Sequence, residues 1–404
     1  MTDLQNQPIE PKAGVARRGA RPERYLYPPR PGNQFEFLVD GEVFFQRIYA
    51  DIASAKRYVL MEMYLCASGK VFSQFIAAVL TARSKQVDVY LLLDDYGAKK
   101  VRAPDLETLR AAGVFVAMYN PVRWFQLKNN LYRTHRKILV IDGQIAYTGG
   151  AGLSDEFANG DNPSDYWHDV MVRIVGPCVD DWGDIFTRAF RVWAPKIPLA
   201  HLPVALAHEA DGYGRVVLNR SARDSEIRRS LIKHMLNAQK RVWITVPYFV
   251  PSRKFRSKLR ACAARGVDTC LLLPGPITDN IASRYMAHRY YKKLLKNGVK
   301  IYEYQPRFIH SKIFIADDWC SIGSSNLDRW NLVWNLDANQ EIYSPEFTAQ
   351  VAAQFVQDFA QSKLFDLETW QRRPLFERFV EKFWGFIVHL LSRFSRDAEK
   401  RSTI

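Results

Sequence analysis

One succession of residue types occurs twice in this chain, and any fold proposed for it has to accommodate two copies of one unit. Val87-Asp-Val-Tyr-Leu-Leu-Leu93 is matched by Val267-Asp-Thr-Cys-Leu-Leu-Leu273, each an apolar, β-rich run preceded by a helical segment that ends in a polar turn. Downstream, Leu109-Arg-Ala-Ala-Gly-Val-Phe-Val-Ala-Met-Tyr-Asn-Pro121 is matched by Leu294-Leu-Lys-Asn-Gly-Val-Lys-Ile-Tyr-Glu-Tyr-Gln-Pro306, in both cases a helix end, a glycine stop and a strand. Upstream, Tyr64 at the end of the strand-like run Lys56–Tyr64 corresponds to Tyr248 in Val246-Pro-Tyr-Phe-Val. Strands alternate with helical stretches throughout, which predicts an α/β protein built from βαβ units, with a largely parallel sheet in each copy.

The 404 residues leave room for two or three domains of about 100–200 residues each. Residues 1–34 mix Pro, Arg, Gly and Gln without periodicity and read as a disordered basic arm. The first copy then occupies 35–193, a proline-rich linker 194–215, the second copy 216–365 and a C-terminal tail 366–404. The five cysteines (Cys66, Cys178, Cys262, Cys270 and Cys320) are scattered and form no CxxC pair, which predicts a reducing compartment and no zinc site. Prolines and arginines interrupt every apolar run in the first thirty residues, so no signal peptide is expected and the protein should stay in the cytoplasm. The longest apolar stretch, Phe383–Leu391, falls well short of the about 20 residues that span a bilayer.

Each copy delivers the same polar cluster. The first holds His135-Arg-Lys137-Ile-Leu-Val-Ile-Asp142 and then Gly149-Gly-Ala-Gly152; the second holds His310-Ser-Lys312-Ile-Phe-Ile-Ala-Asp317 and then Gly323-Ser-Ser-Asn326. Histidine and lysine two apart on a strand project from one face, so each copy presents an imidazole beside an ammonium. The aspartate, seven residues on, would stand about 23 Å from its histidine along an extended strand. Asp142 and Asp317 therefore read as turn-holding or lysine-pairing members of the candidate catalytic set, placed where hairpins are expected. A nucleophilic histidine also needs an acceptor on one ring nitrogen. Asp169 in Trp167-His-Asp and Asp337 in Asn335-Leu-Asp, each ahead of the next apolar strand, are the candidates. Two His/Lys pairs brought together would form a cationic pocket suited to a phosphate diester, with the histidines dividing attack and leaving-group protonation and no metal or other cofactor required.

The duplicated H-x-K-x4-D motif resembles the signature of the phospholipase D superfamily over roughly residues 35–365, and Gly323-Ser-Ser-Asn-Leu-Asp-Arg-Trp-Asn with Trp334-Asn-Leu-Asp-Ala-Asn is similar to bacterial cardiolipin synthases. The resemblance implies two tandem α/β/α sandwich domains related by a pseudo-twofold axis, with one active site at their interface. It implies a phospho-histidine intermediate on His135, acid and base work by His310, and phosphate binding by Lys137, Lys312, Asn326 and Ser324. Gly152 departs from the G-G-x-N pattern of the family's first turn and removes one side-chain donor there.

The same site chemistry serves lipid phosphatidyltransferases, lipid hydrolases and nucleases, so the substrate has to be read elsewhere. A formal charge of +15 favours an anionic partner of either kind. Phe376, Phe379, Val380, Phe383, Ile387, Leu390, Leu391 and Phe394 recur at helical spacing opposite Arg378, Lys382 and Arg393, an amphipathic pattern that fits an in-plane membrane anchor or a helix docked on its own domain. Val122-Arg-Trp-Phe-Gln-Leu-Lys128, just ahead of the first motif, offers either a second membrane surface or a buried loop anchor. The tail tilts the choice toward an anionic phospholipid partner at the inner face of the cytoplasmic membrane and away from nucleic acid, with transfer between two phosphatidylglycerols to give cardiolipin as the leading activity.

Overall fold

The computed structural model describes residues 25–123, 125, 129–158, 165–199, 210–220, 225–327 and 334–373. The first copy runs β1 (Arg30–Val39), α1 (Asp40–Ala53), β2 (Tyr58–Met63), α2 (Lys70–Ser84), β3 (Asp88–Asp94), α3 (Ala103–Ala111) and β4 (Phe115–Tyr119). It continues through β5 (Arg133–Thr134), β6 (Lys137–Ile141), β7 (Ile145–Gly149), β8 (Val170–Val175) and α4 (Cys178–Trp193). The second copy repeats the order: β9 (Gly212–Asn219), α5 (Glu226–Asn237), β10 (Arg241–Thr245), α6 (Arg253–Ala264), β11 (Asp268–Pro274), α7 (Ile281–Leu295) and β12 (Lys300–Tyr304). It closes with β13 (Ile313–Ala316), β14 (Trp319–Gly323), β15 (Asn335–Tyr343), α8 (Pro345–Ala360), β16 (Ser362–Phe365) and α9 (Leu367–Gln371).

Each sheet is mixed rather than largely parallel. Within each copy, among the described residues, parallel strand pairing is confined to β2, β3 and β4 and to β10, β11 and β12, and across the copies β5 pairs parallel with β15. The tight turns at Asp142-Gly143 and Asp317-Asp318 make hairpins of β6–β7 and β13–β14, and a hairpin imposes antiparallel neighbours. Helices α1, α2 and α3 cover the outer face of the first sheet and α5, α6 and α7 that of the second. The two inner faces share a single core with α4 and α8, in which Trp182, Phe186 and Phe190 of α4 and Phe347, Val351 and Phe355 of α8 are buried. Strands β7 and β8 pack against β14 and β15 across it.

Structure begins before Phe35. Tyr27 is buried and donates to Asp184 (2.8 Å), Arg30 forms a two-pronged pair with Asp181 (2.7 and 2.8 Å), and Asn33 accepts from the Cys178 amide (2.8 Å). These contacts pull residues 25–34 onto α4, so the expected free arm does not extend through them; residues 1–24 lie outside the described residues. The start of β1 pairs antiparallel with the start of β9, where a side chain at Gly212 would meet the Asn33 carbonyl at 2.0 Å. At the other end Trp370 of α9 is buried against Tyr291 and Phe365, so the second copy continues past residue 365. The amphipathic stretch Phe376–Phe394 lies outside the described residues.

Candidate active site

Both histidines stand just ahead of a hairpin strand, at the edge where the central parallel strands end: Lys137 pairs with Met63 at the end of β2, and Ile313 with Thr245 at the end of β10. The main chain there is tied to the opposite copy. The His135 amide donates to the Leu336 carbonyl (2.9 Å), and the His310 amide donates to the His168 carbonyl (2.8 Å). The side chains follow the same exchange. His135 Nδ1 lies 2.9 Å from Asp337 Oδ1, and His310 Nδ1 lies 2.6 Å from Asp169 Oδ2, so each copy holds the other's imidazole. Asp337 lies inside β15, two residues past its start, and not ahead of the strand.

The small-residue turns let these pairs close. A side chain at Gly150 would sit 2.3 Å from the Asp169 carboxylate, so only glycine admits this approach. At the matching place in the second copy Ser324 donates from Oγ to Asp337 (2.9 Å), which makes it a support of the carboxylate. A side chain at Gly152 would meet the Leu65 carbonyl at 2.5 Å, so there is no room for the asparagine that this turn lacks. Its counterpart Asn326 is buried, with both amide atoms unpartnered among the described residues, and an anionic oxygen would satisfy the Nδ2 donor.

Lys137 donates to the carbonyl of His135 (2.8 Å) and stands over the Tyr64 ring, while Lys312 donates to the His310 carbonyl and sits 3.0 Å from His310 Nε2. Burial, aided by Lys137, lowers His135 to about 4; burial, aided by Lys312, lowers His310 to about 3. Both imidazoles are therefore neutral near pH 7, with Nδ1–H turned to a carboxylate and the Nε2 lone pair available. Burial also brings Lys137, with Lys312 nearby, to about 7, and Lys312 to about 8.

The two imidazoles have different surroundings. Behind His135 lie buried charges: Thr134 donates to Glu62, Arg136 stands 3.6 Å from Glu62, and Arg133 stands 3.4 Å from Asp94, which burial raises to about 6. His310 is walled by the rings of Trp167, Phe157 and Phe308, with centroids 4.9, 5.5 and 5.7 Å away. Asp142 and Asp317 are not in the pocket. Each sits in a hairpin turn at the far end of its strand, in left-handed backbone (φ 56° and 54°), and accepts three amides: Lys56, Arg57 and Tyr58 for Asp142, and Gln239, Lys240 and Arg241 for Asp317.

A model of the cardiolipin synthase, PLD-like domain family matches residues 48–172 and again 231–359, where PLD stands for phospholipase D. The chain belongs to the cardiolipin synthase family of PLD-like enzymes. It is 33% identical over 363 residues to the cardiolipin synthase of Geobacillus sp. (strain WCH70), covering 88% of this chain and 72% of that protein. It is 32% identical to cardiolipin synthase 2 of Bacillus anthracis, covering 88% and 70%. Among solved structures, phosphatidylserine synthase of Haemophilus influenzae Rd KW20 superposes with a TM-score of 0.68 at 16% identity, over 91% of this chain and 94% of that one, a likeness of fold. Both spans matched by the cardiolipin synthase family carry a histidine, its lysine and the aspartate that serves the opposite copy.

One group in this family member gave no sequence signal beyond its place in Trp167-His-Asp. His168 is buried between Asp40 (Nδ1 to Oδ1, 2.7 Å) and Asp358 (3.2 Å), with Arg307 paired to Asp40. Burial disfavours its imidazolium, yet the hydrogen bonds to Asp358 and Asp40 prevail and raise it to about 9. Asp40 and His168 come from the first copy and Arg307 and Asp358 from the second, so only folding brings the four together.

Proposed function

We propose that the pocket transfers a phosphatidyl group through a phospho-histidine, and that its reaction is cardiolipin synthesis from two molecules of phosphatidylglycerol with release of glycerol. The observation that carries this reading is the pair of crossed His–Asp couples with two buried lysines beside them. His135 Nε2 attacks phosphorus while the bond to the head-group glycerol oxygen breaks. Lys137, Lys312 and the Asn326 amide neutralise the non-bridging oxygens. A phosphate anion between the lysines offsets the lysine field that, after burial, depresses His310, and so favours its protonated form in the complex. His310 then gives its proton to the departing glycerol and takes one from the hydroxyl of the second phosphatidylglycerol, whose oxygen displaces His135. With His135 bonded to phosphorus, His310 is the imidazole left to carry the proton. Peripheral association with the inner face of the cytoplasmic membrane goes with this substrate, and no helix among the described residues is long and apolar enough to cross a membrane.

Full-length protein given labelled phosphatidylglycerol should yield labelled diphosphatidyl product and free glycerol; phosphatidic acid alone would instead indicate a hydrolase. Quenching in denaturing detergent near neutral pH, which spares the acid-labile P–N bond, should trap a covalent lipid adduct that His135→Ala abolishes. An adduct that persists in His135→Ala and disappears in His310→Ala would reverse the two roles.

A further inference from the structure

Among the described residues thirteen large apolar side chains are exposed, and they are not evenly spread. Seven stand singly on helices, on β16 or ahead of β1. The other six, Tyr96, Val122, Phe125, Tyr132, Ile277 and Ile281, all belong to connections that leave the carboxyl ends of the parallel strands β3, β4 and β11 or open the helix that follows. That is the edge on which both histidines sit, so apolar groups from both copies lie at the edge that carries the site. Phe125 is the extreme case, 101% exposed.

The described residues on either side of Phe125 are tied to one another. Asn120 donates to the Tyr132 carbonyl (2.7 Å), Arg123 and Asn130 exchange two hydrogen bonds (3.0 and 2.7 Å), and Val122 donates to Asp95 (2.9 Å). Arg133, the first residue of β5, closes the base on the Asn120 carbonyl (2.9 Å). A fully exposed ring beside a base fixed by five hydrogen bonds is available to bury itself in something else. Exposed Lys99, Arg123, Arg253 and Lys254 lie on connections or a helix start at the same edge, so the surface is both apolar and cationic. That combination matches an anionic bilayer, where rings enter the acyl boundary and cations meet head groups.

We infer that the rim formed by Phe125, Val122, Tyr96 and Tyr132 of one copy and Ile277 and Ile281 of the other enters an anionic lipid surface, placing the site mouth against the bilayer from which it draws substrate. The inference rests on the lipid reading above. All five native cysteines are buried, so a cysteine introduced at the rim can be labelled selectively with an environment-sensitive fluorophore. Full-length Phe125→Cys and Ile277→Cys should each brighten about twofold and shift to the blue on adding vesicles of phosphatidylglycerol and phosphatidylcholine, as the probe leaves water. Salt should weaken the response, and a probe at exposed Lys56, at the opposite end of the sheet, should stay unchanged. Phe125→Asp, which removes no packing, should lower turnover on those vesicles about tenfold and leave turnover of dispersed short-chain phosphatidylglycerol unchanged. Silent probes at 125 and 277 on vesicle-bound protein, absence of vesicle binding, or equal loss on both substrates would overturn the inference. Responding probes on protein that makes no diphosphatidyl product would leave the surface standing and remove the synthase reading.

Discussion

An imidazole whose Nδ1 is held by a carboxylate from another repeat is only as well placed as the packing between the repeats. Asp337→Asn should therefore impair the step made by His135 although the two lie 202 positions apart, and Asp169→Asn the steps made by His310. We expect each to reduce kcat by about 100-fold or more, because the wrong tautomer is favoured. With a substrate bearing an activated leaving group, Asp169→Asn should still form the covalent adduct and fail to release it, whereas Asp337→Asn should form it slowly; single-turnover quenching separates the two. The lysines set the pH range. They bind phosphate when protonated, and with Lys137 near 7 and Lys312 near 8 in the empty pocket, kcat/KM should fall as pH rises through about 7 to 8. His135 attacks when neutral, so the acid limb should appear only near pH 4. The spacing of His135 from Lys137 was readable because strand period alone puts both on one face. The exchange of aspartates was not, because a linear order names candidates and only the packing of β15 against β5 and of His168 against Ile309 pairs them.

The elements show how the motif's third member serves the fold. Asp142 closes the β6–β7 turn and binds three consecutive amides leading into β2, and Asp317 does the same for β10. Replacing Asp142 with alanine should cost about 1–3 kcal/mol in urea unfolding, the range for hydrogen bonds to a charged acceptor, with kcat nearly unchanged in the protein that remains folded. A drop in kcat at full folding would return Asp142 to the chemistry. Strands β2, β3 and β11 were visible as apolar runs because they are buried on both faces. The antiparallel remainder was less visible: β7 and β8 carry no parallel partner, and apolar composition does not record strand direction. Buried Glu62 was hidden for a related reason, since a single carboxylate in an apolar run gives no hint that Thr134 and Arg136 will meet it.

At the scale of the whole molecule the join between copies is partly electrostatic. His168 has a folded value near 9 against an ordinary value of 6.5, with Asp40, Asp358 and Arg307 facing it. A raised value stabilises the folded state fully below pH 6.5, and that contribution is lost as pH rises through about 9. Urea unfolding should register a loss on the order of 3 kcal/mol across that window, and His168→Gln should flatten the pH dependence. A wild-type curve without this slope would show that the cluster does not stabilise the join. The crossed couples also bear on the protein's descent. One repeat alone carries a histidine without its aspartate and an aspartate without its histidine, whereas two repeats facing across a twofold axis complete both couples at once. The smallest ancestor with a whole site is thus a homodimer. Once fusion had joined the copies, the two halves no longer had to mutate in step, and one imidazole came to rest before buried charge while the other was enclosed by rings.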